Sequence, residues 1–146
     1  MIGQTYRCRG RILVVDQDDW VREFMSQIMK LLGLEEFRLA TSGDEALAAL
    51  EETSFDLLIT DLNMAENHNL LENYRQRFPG MRVLLMAEPR RRTIQWAYQE
   101  EVDVVVKPFR LDEVAQKIRE AIHQRHRQQV EEEFKRLKQE VFRLLG

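Results

Sequence analysis

Cysteine occurs once, at Cys8, so no disulfide can form within the chain, and 146 residues are enough to bury a core without one. No run of residues approaches the length needed to cross a bilayer, and the opening MIGQTYRCRGR lacks the apolar stretch of a secretory signal. These absences exclude membrane insertion and make the cytoplasm the expected compartment. Charge of one sign is lacking too: the formal net charge is −3 with both signs interspersed, so no global field attracts nucleic acid or an anionic membrane. No Ser/His/Asp or Cys/His arrangement is evident, which leaves independent enzymatic turnover without support. His123 and His126 stand three apart in a polar stretch, with no Cys or carboxylate set nearby to complete a metal site. Internal repeats and low-complexity tracts are also missing. What remains, 44% hydrophobic and 32% charged residues, describes one globular domain with a polar surface and an appendage.

Five short apolar runs are present, rich in β-branched residues: Arg11 to Val15, Phe37 to Ala40, Asp56 to Thr60, Arg82 to Met86 and Asp103 to Val106. Helix-patterned segments separate them, and ILVV, DLLIT, VLLM and VVV are nearly continuous hydrophobic stretches. That rhythm predicts an α/β fold whose parallel strands are covered by helices on both faces. The first helix is expected over Asp19 to Leu32, with Val21, Phe24, Met25, Ile28, Met29, Leu31 and Leu32 forming its apolar stripe, Asp18 or Asp19 capping its start and Gly33 stopping it. The second opens at Ser42 with Glu45 three positions on, the spacing of a capping box, and turns Ala46, Leu47 and Leu50 inward. A third runs from about Leu70 to Phe78, and a fourth follows Pro89 with Ile94, Trp96, Ala97 and Tyr98. Trp96 and Tyr98 are read as packing residues.

From Leu111 the helical pattern continues to the terminus, far beyond the roughly 10 to 14 residues usual in a globular protein. Leu111, Val114, Ile118, Ala121 and Ile122 suit packing on the sheet, and HQRHRQQ then offers nothing apolar. Val130, Phe134, Leu137, Val141 and Leu144 resume at alternating spacings of four and three, the pattern of a coiled coil. The expected organisation is a leader over 1–10, a domain over 11–123 and a helical extension over 124–146. The extension is expected to carry a homodimer or an output partner.

Ligands of an open parallel sheet gather beyond the carboxyl ends of its strands. Asp16 follows ILVV, Asp61 follows DLLIT and Lys107 follows VVV, so three charged residues end strands that are neighbours in a 2-1-3-4-5 order. Such a cluster suits phosphoryl transfer: an ionised aspartate as nucleophile, hard oxygen ligands for Mg²⁺, and a lysine to neutralise phosphoryl oxygens. Plainer alternatives stand beside it, with Asp61 an inert strand-end acid and Lys107 a structural partner of Asp61 or Glu88. A nucleotide or flavin site is disfavoured, because residues 16–19 read DQDD, with no Gly-rich or Ser/Thr-rich cradle, and adjacent acids repel phosphate unless a metal intervenes.

These residues carry a family likeness. ILVVDQDDWVR resembles the first strand and acidic turn of response-regulator receiver domains, DLLITDLNM the phosphoacceptor strand and loop, and KPF at Lys107 to Phe109 the lysine-proline motif with its cis bond. The resemblance covers about Arg11 to Ile122 and implies a flavodoxin-like (βα)5 doubly wound sheet working in two-component phosphorelay signalling. Carried over by position, it implies Asp61 as phosphoacceptor, Lys107 as the phosphoryl contact, and Asp16, Asp61 and the Asn63 backbone carbonyl as ligands of Mg²⁺. It implies a histidine kinase or phosphotransfer protein upstream and a protein partner downstream. Activity would be limited to accepting a phosphoryl group and losing it.

Departures from the family pattern accompany the likeness. Gln17 stands where a second acid usually binds the metal, and an amide oxygen binds more weakly, although Asp18 could compensate in part. Ala87 replaces the switch Thr or Ser, Glu88 a small residue, and Val104 lies at or beside the place of the rotating aromatic, in a segment one residue short. Ala65 and Asn69 replace the customary Pro and Gly after the phosphoacceptor. The alternative they open is a phosphorylation-independent module for protein interaction or dimerisation. Arg90, Arg91 and Arg92 start the fourth helix, either as an interface for an acidic surface or phosphate or as a solvated turn.

Overall fold

The computed structural model describes residues 9–63, 70–99 and 101–146. Most of the expected leader, with Cys8, and the substituted positions Ala65 and Asn69 lie outside them, as do the side chains of Arg91, Arg92 and Ile94. The elements run β1 Ile12–Val15, α1 Asp19–Leu31, β2 Phe37–Ala40, α2 Gly43–Glu52, β3 Leu57–Asp61, α3 Leu70–Arg77, β4 Arg82–Ala87, α4 Arg91–Gln99, β5 Asp103–Val106 and α5 Leu111–Leu145. All five strands pair in parallel in the order β2-β1-β3-β4-β5, the expected doubly wound α/β sheet. Contrary to expectation, β5, which leads to Lys107, is not a neighbour of the strands that end at Asp16 and Asp61: it is an edge strand, separated from β3 by β4.

Because successive strand residues point to opposite faces, the continuous apolar runs fill two layers at once. Ile12, Val14, Leu57, Ile59, Leu84, Met86 and Val105 face one side, where α1 supplies Val21, Met25, Ile28 and Met29 and α5 supplies Val114, Ile118, Ala121 and Ile122. Leu13, Val15 and Leu58 face the other, against Ala46, Ala49 and Leu50 of α2 and Tyr74 of α3. Tyr74 is fully buried with no partner for its hydroxyl among the described residues, and that burial pushes its phenol up to about 12. Farther along the sheet, Leu85 and Ala87 meet Ala97 of α4 and Leu71 of α3.

The Ser42 hydroxyl accepts from the Glu45 amide at 3.2 Å, as the capping-box spacing predicts, whereas the Glu45 carboxylate turns back one residue further than expected, to the Thr41 amide at 3.1 Å. Asp18 is the N-cap residue of α1, but neither it nor Asp19 caps with its side chain: Asp18 makes no such bond, and the Asp19 carboxylate pairs with Arg22. Three expected packing residues are exposed. Leu31, at 70%, ends α1 where the sheet no longer covers it, and Leu34 enters the core in its place. Leu111, at 50%, opens α5 one turn before the first buried residue, Val114. Tyr98, at 84%, follows the buried Ala97 and is rotated by about 100° to the outside, while Trp96 is partly buried.

α5 is one unbroken helix of 35 residues. It starts at the carboxyl edge of the sheet, runs back across it and reaches the amino edge near Arg125. There Arg125 Nε lies 3.6 Å from Asp56, just ahead of β3, and Arg82 at the start of β4 donates to Gln124 at 2.5 Å. Beyond that edge the helix continues free of the domain, with Val130, Phe134, Leu137, Val141 and Leu144 exposed. Among the described residues no helix is long and apolar enough to cross a membrane.

Candidate functional site

The carboxyl ends of β1 and β3 sit side by side, with Val15 in register with Thr60, so the residues that follow converge. β5 is held there by its own backbone: the Lys107 amide donates to the Ala87 carbonyl at 2.8 Å, and the Lys107–Pro108 peptide is cis. The Lys107 ammonium lies 3.5 Å from Asp61 Oδ1 and 3.7 Å from Asp16 Oδ2, and the three expected charged groups share one cleft. The ion pair to Asp61, foreseen as one alternative, is therefore present. No ion pair joins Lys107 to Glu88, which is exposed at the rim.

The two acids differ in environment. The Asp61 side chain is 16% exposed, open to a reactant arriving from solvent. Asp16 is buried; its Oδ1 accepts from the Asp18 amide at 2.8 Å, and its Oδ2 has no hydrogen-bond partner among the described residues. Burial raises the Asp16 carboxyl above its ordinary 3.8, and the Asp18 amide and the Lys107 ammonium offset only part of that cost. The folded state then holds the proton more tightly than the unfolded chain, so Asp16 costs the fold stability once pH rises above 3.8 and into the raised range. Asp16→Asn keeps the Oδ1 acceptor and removes the charge. With chelator present it should stabilise the domain at pH 7. The gain should fade below about pH 4; urea titrations of both proteins across pH 4 to 8 check this, and a gain independent of pH would contradict it.

Sequence reasoning missed two supports of the site. Arg22 Nη1 donates to the Asp16 carbonyl at 2.6 Å while its other arm holds Asp19, fixing the acidic turn from the first turn of α1. Its position three residues after Asp19, on the same helix face, was the available signal. Trp20, Phe24 and Phe109 form an aromatic group beside the turn, with Phe24 and Phe109 stacked at 5.9 Å between centroids. Of the other expected positions, Gln17 and Asn63 are exposed, Val104 is partly buried, and Ala87 is buried at the end of β4 with no hydroxyl to offer. Arg90 is exposed, and His123 and His126 are exposed on α5. Among the described residues no cluster of three or more His, Cys, Asp or Glu groups could hold a metal.

The family model for the response regulator receiver domain matches residues 12–119. The chain belongs to that family. Among curated receivers, it is 37% identical over 104 residues to the response regulator protein FleR of Pseudomonas aeruginosa, covering 68% of this chain and 22% of FleR. The chemotaxis protein CheY of the same species is 35% identical over 114 residues, which cover 74% of this chain and 92% of CheY. The DNA-binding transcriptional regulator NtrC of Salmonella typhimurium is 32% identical over 125 residues, covering 83% of this chain and 26% of NtrC. The chain thus spans about a quarter of FleR and NtrC and nearly all of CheY. NtrX from Brucella abortus, solved with ADP, superposes with a TM-score of 0.78 at 23% identity, covering 86% of this chain and 29% of NtrX. A CheY-like receiver from Methanospirillum hungatei superposes at 0.70 and 24% identity, covering 81% and 97%. Both structures share the fold. The receiver match stops within α5, leaving the distal helix outside it.

Proposed function

We propose that this receiver takes a phosphoryl group on Asp61 from a phosphohistidine of a histidine kinase or phosphotransfer protein, or from a small phosphodonor, and passes the signal on through protein contacts. One observation carries the reading: an accessible Asp61 carboxylate at a strand end with an ammonium at 3.5 Å. In the transfer, an Asp61 oxygen bonds to phosphorus and the donor's bond to phosphorus breaks, P–N in a phosphohistidine or P–O in an acyl phosphate, the departing imidazole nitrogen or carboxylate oxygen keeping the electron pair of that bond. Lys107 leaves its shared position between the acids to neutralise the phosphoryl oxygens. Turnover of any further substrate is not part of this role. A cytoplasmic setting follows from the expected donor.

The donor set suits Mg²⁺ in part. The orphaned Asp16 Oδ2 is a hard oxygen that lacks a hydrogen-bond partner among the described residues, and Asp61 lies opposite the same ammonium. Asp16, Asp61 and the Asn63 carbonyl would hold the ion, with exposed Gln17 adding at most a neutral oxygen. When bound, it would offset the repulsion between the acids and an incoming phosphate. Coupling to the face of α4, β5 and α5 should be weak, because Ala87 offers no hydroxyl to the modified site.

Incubation with Mg²⁺ and acetyl phosphate should add one phosphoryl mass to the intact chain, and Asp61→Ala should abolish it. No adduct in the wild type, or one that persists in Asp61→Ala, rejects the proposal. Gln17 and Ala87 favour a second reading, a constitutive interaction module whose cleft is vestigial. It requires Trp20 fluorescence, beside the acidic turn, to ignore Mg²⁺; strong quenching at sub-millimolar concentration counts against it.

A further inference from the structure

We infer that residues 130–144 of α5 pair with the same stretch of a second copy as a parallel, in-register, two-stranded coiled coil. The inference does not depend on phosphorylation at Asp61. Val130, Phe134, Leu137, Val141 and Leu144 follow one another at spacings of four, three, four and three, and their exposures run from 47% to 86%. A stripe of that length left open to water marks a surface that another chain covers. The spacing assigns Val130, Leu137 and Leu144 to d positions and Phe134 and Val141 to a positions. Leucine at d with a β-branched residue at a favours two strands, as at Leu137, Val141 and Leu144.

The charges flanking the stripe choose the occupant and its direction. Glu133 and Glu140 fall at g, and Glu131 and Lys138 at e. In a parallel pair each g residue faces the e residue five positions on in the other copy, which sets Glu133 against Lys138 twice by symmetry. An antiparallel pair would instead bring g positions together, Glu133 against Glu140, and e positions together, Glu131 against Lys138, so that its repulsive pairs cancel its attractive ones, whereas the parallel pair has the attractive ones alone. Within one chain Glu133 is bonded to Arg136, and Lys138 makes no ion pair among the described residues.

Two short heptads would normally be too few, because the first helical turn is costly to form. Here that cost is already met, since the stripe extends a helix anchored through Val114, Ile118, Ala121 and Ile122 in the core. The paired region leaves the domain at the amino edge of the sheet. Both Asp61 clefts, at the carboxyl edge, therefore stay open in the dimer.

Sedimentation equilibrium of the full chain at high micromolar concentration should give twice the 17.4 kDa of one chain. The double variant Leu137→Glu with Val141→Glu should be monomeric, while its urea midpoint, measured at a concentration too low for pairing, remains that of the wild type, separating lost pairing from lost folding. Lys138→Glu should weaken the dimer about tenfold, and adding Glu133→Lys to it should restore the affinity. In a Cys8→Ser background, Leu144→Cys should oxidise to a covalent dimer. A monomeric wild type, or a dimer that survives the double variant, overturns the proposal. A dimer that Leu144→Cys fails to cross-link overturns its direction.

Discussion

Lys107→Ala should slow adduct formation with acetyl phosphate by at least about 100-fold, while Asp61 itself remains in place. The ammonium bridges both acids, at 3.7 Å from Asp16 and 3.5 Å from Asp61, and its removal leaves two carboxylates facing each other across the cleft. Even with Mg²⁺ offsetting part of that repulsion, the charge growing on the phosphoryl oxygens no longer meets the ammonium. A time course of intact mass in saturating Mg²⁺ measures the effect. Rates equal to wild type would reduce Lys107 to a structural ion-pair partner and remove its place in the transfer.

Ile59→Ala should destabilise the domain by about 2 to 5 kcal/mol, the range for truncating a fully buried aliphatic side chain whose surroundings relax incompletely. Ile59 lies in the third strand, beneath both α1 and α5, and is wholly inaccessible to solvent. The same kind of truncation in the distal helix, Leu137→Ala, should change the stability of the monomeric domain by no more than about 0.5 kcal/mol. Urea unfolding at a concentration too low for pairing compares them. Equal losses would mean that the distal helix belongs to the cooperative core, against the exposure of its apolar stripe.

The strands were legible as short runs of mostly apolar, β-branched residues: the interior runs ILVV and LLIT are buried on both faces, and the partly exposed outer strands Phe37–Ala40 and Asp103–Val106 agree with expectation at both ends. The site was legible for a related reason. Asp16, Asp61 and Lys107 each interrupt such a run with a charge, and a parallel sheet brings strand ends together. Less legible was how far each helix reaches beyond the layer it covers. Leu31, Leu111 and Tyr98 are apolar or aromatic and in helical register, yet they lie at helix ends or turn off the packed face. Periodicity reports the direction in which a residue points, and the extent of the neighbouring layer decides whether anything meets it. The acidic turn was misjudged because Asp18 has the right side chain for a cap, but its backbone amide is committed to Asp16 and its side chain is left without that task.

The last helix has no proline or glycine between Leu111 and Leu145, and its proximal end is tied by three residues, Pro108 to Arg110, to the lysine of the cleft. Arg125 and Gln124 pin it at the opposite rim of the sheet. Measured from that rim, the helix extends roughly 22 Å toward the cleft and roughly 30 Å beyond the domain. A rocking motion that shifts Leu111 by about 1 Å would swing the far tip by about 1.4 Å the other way. Because Val114, Ile118, Ala121 and Ile122 hold the cleft side of the helix in the core, any such motion would have to carry that packed layer with it, which keeps the distal end still when the cleft changes little.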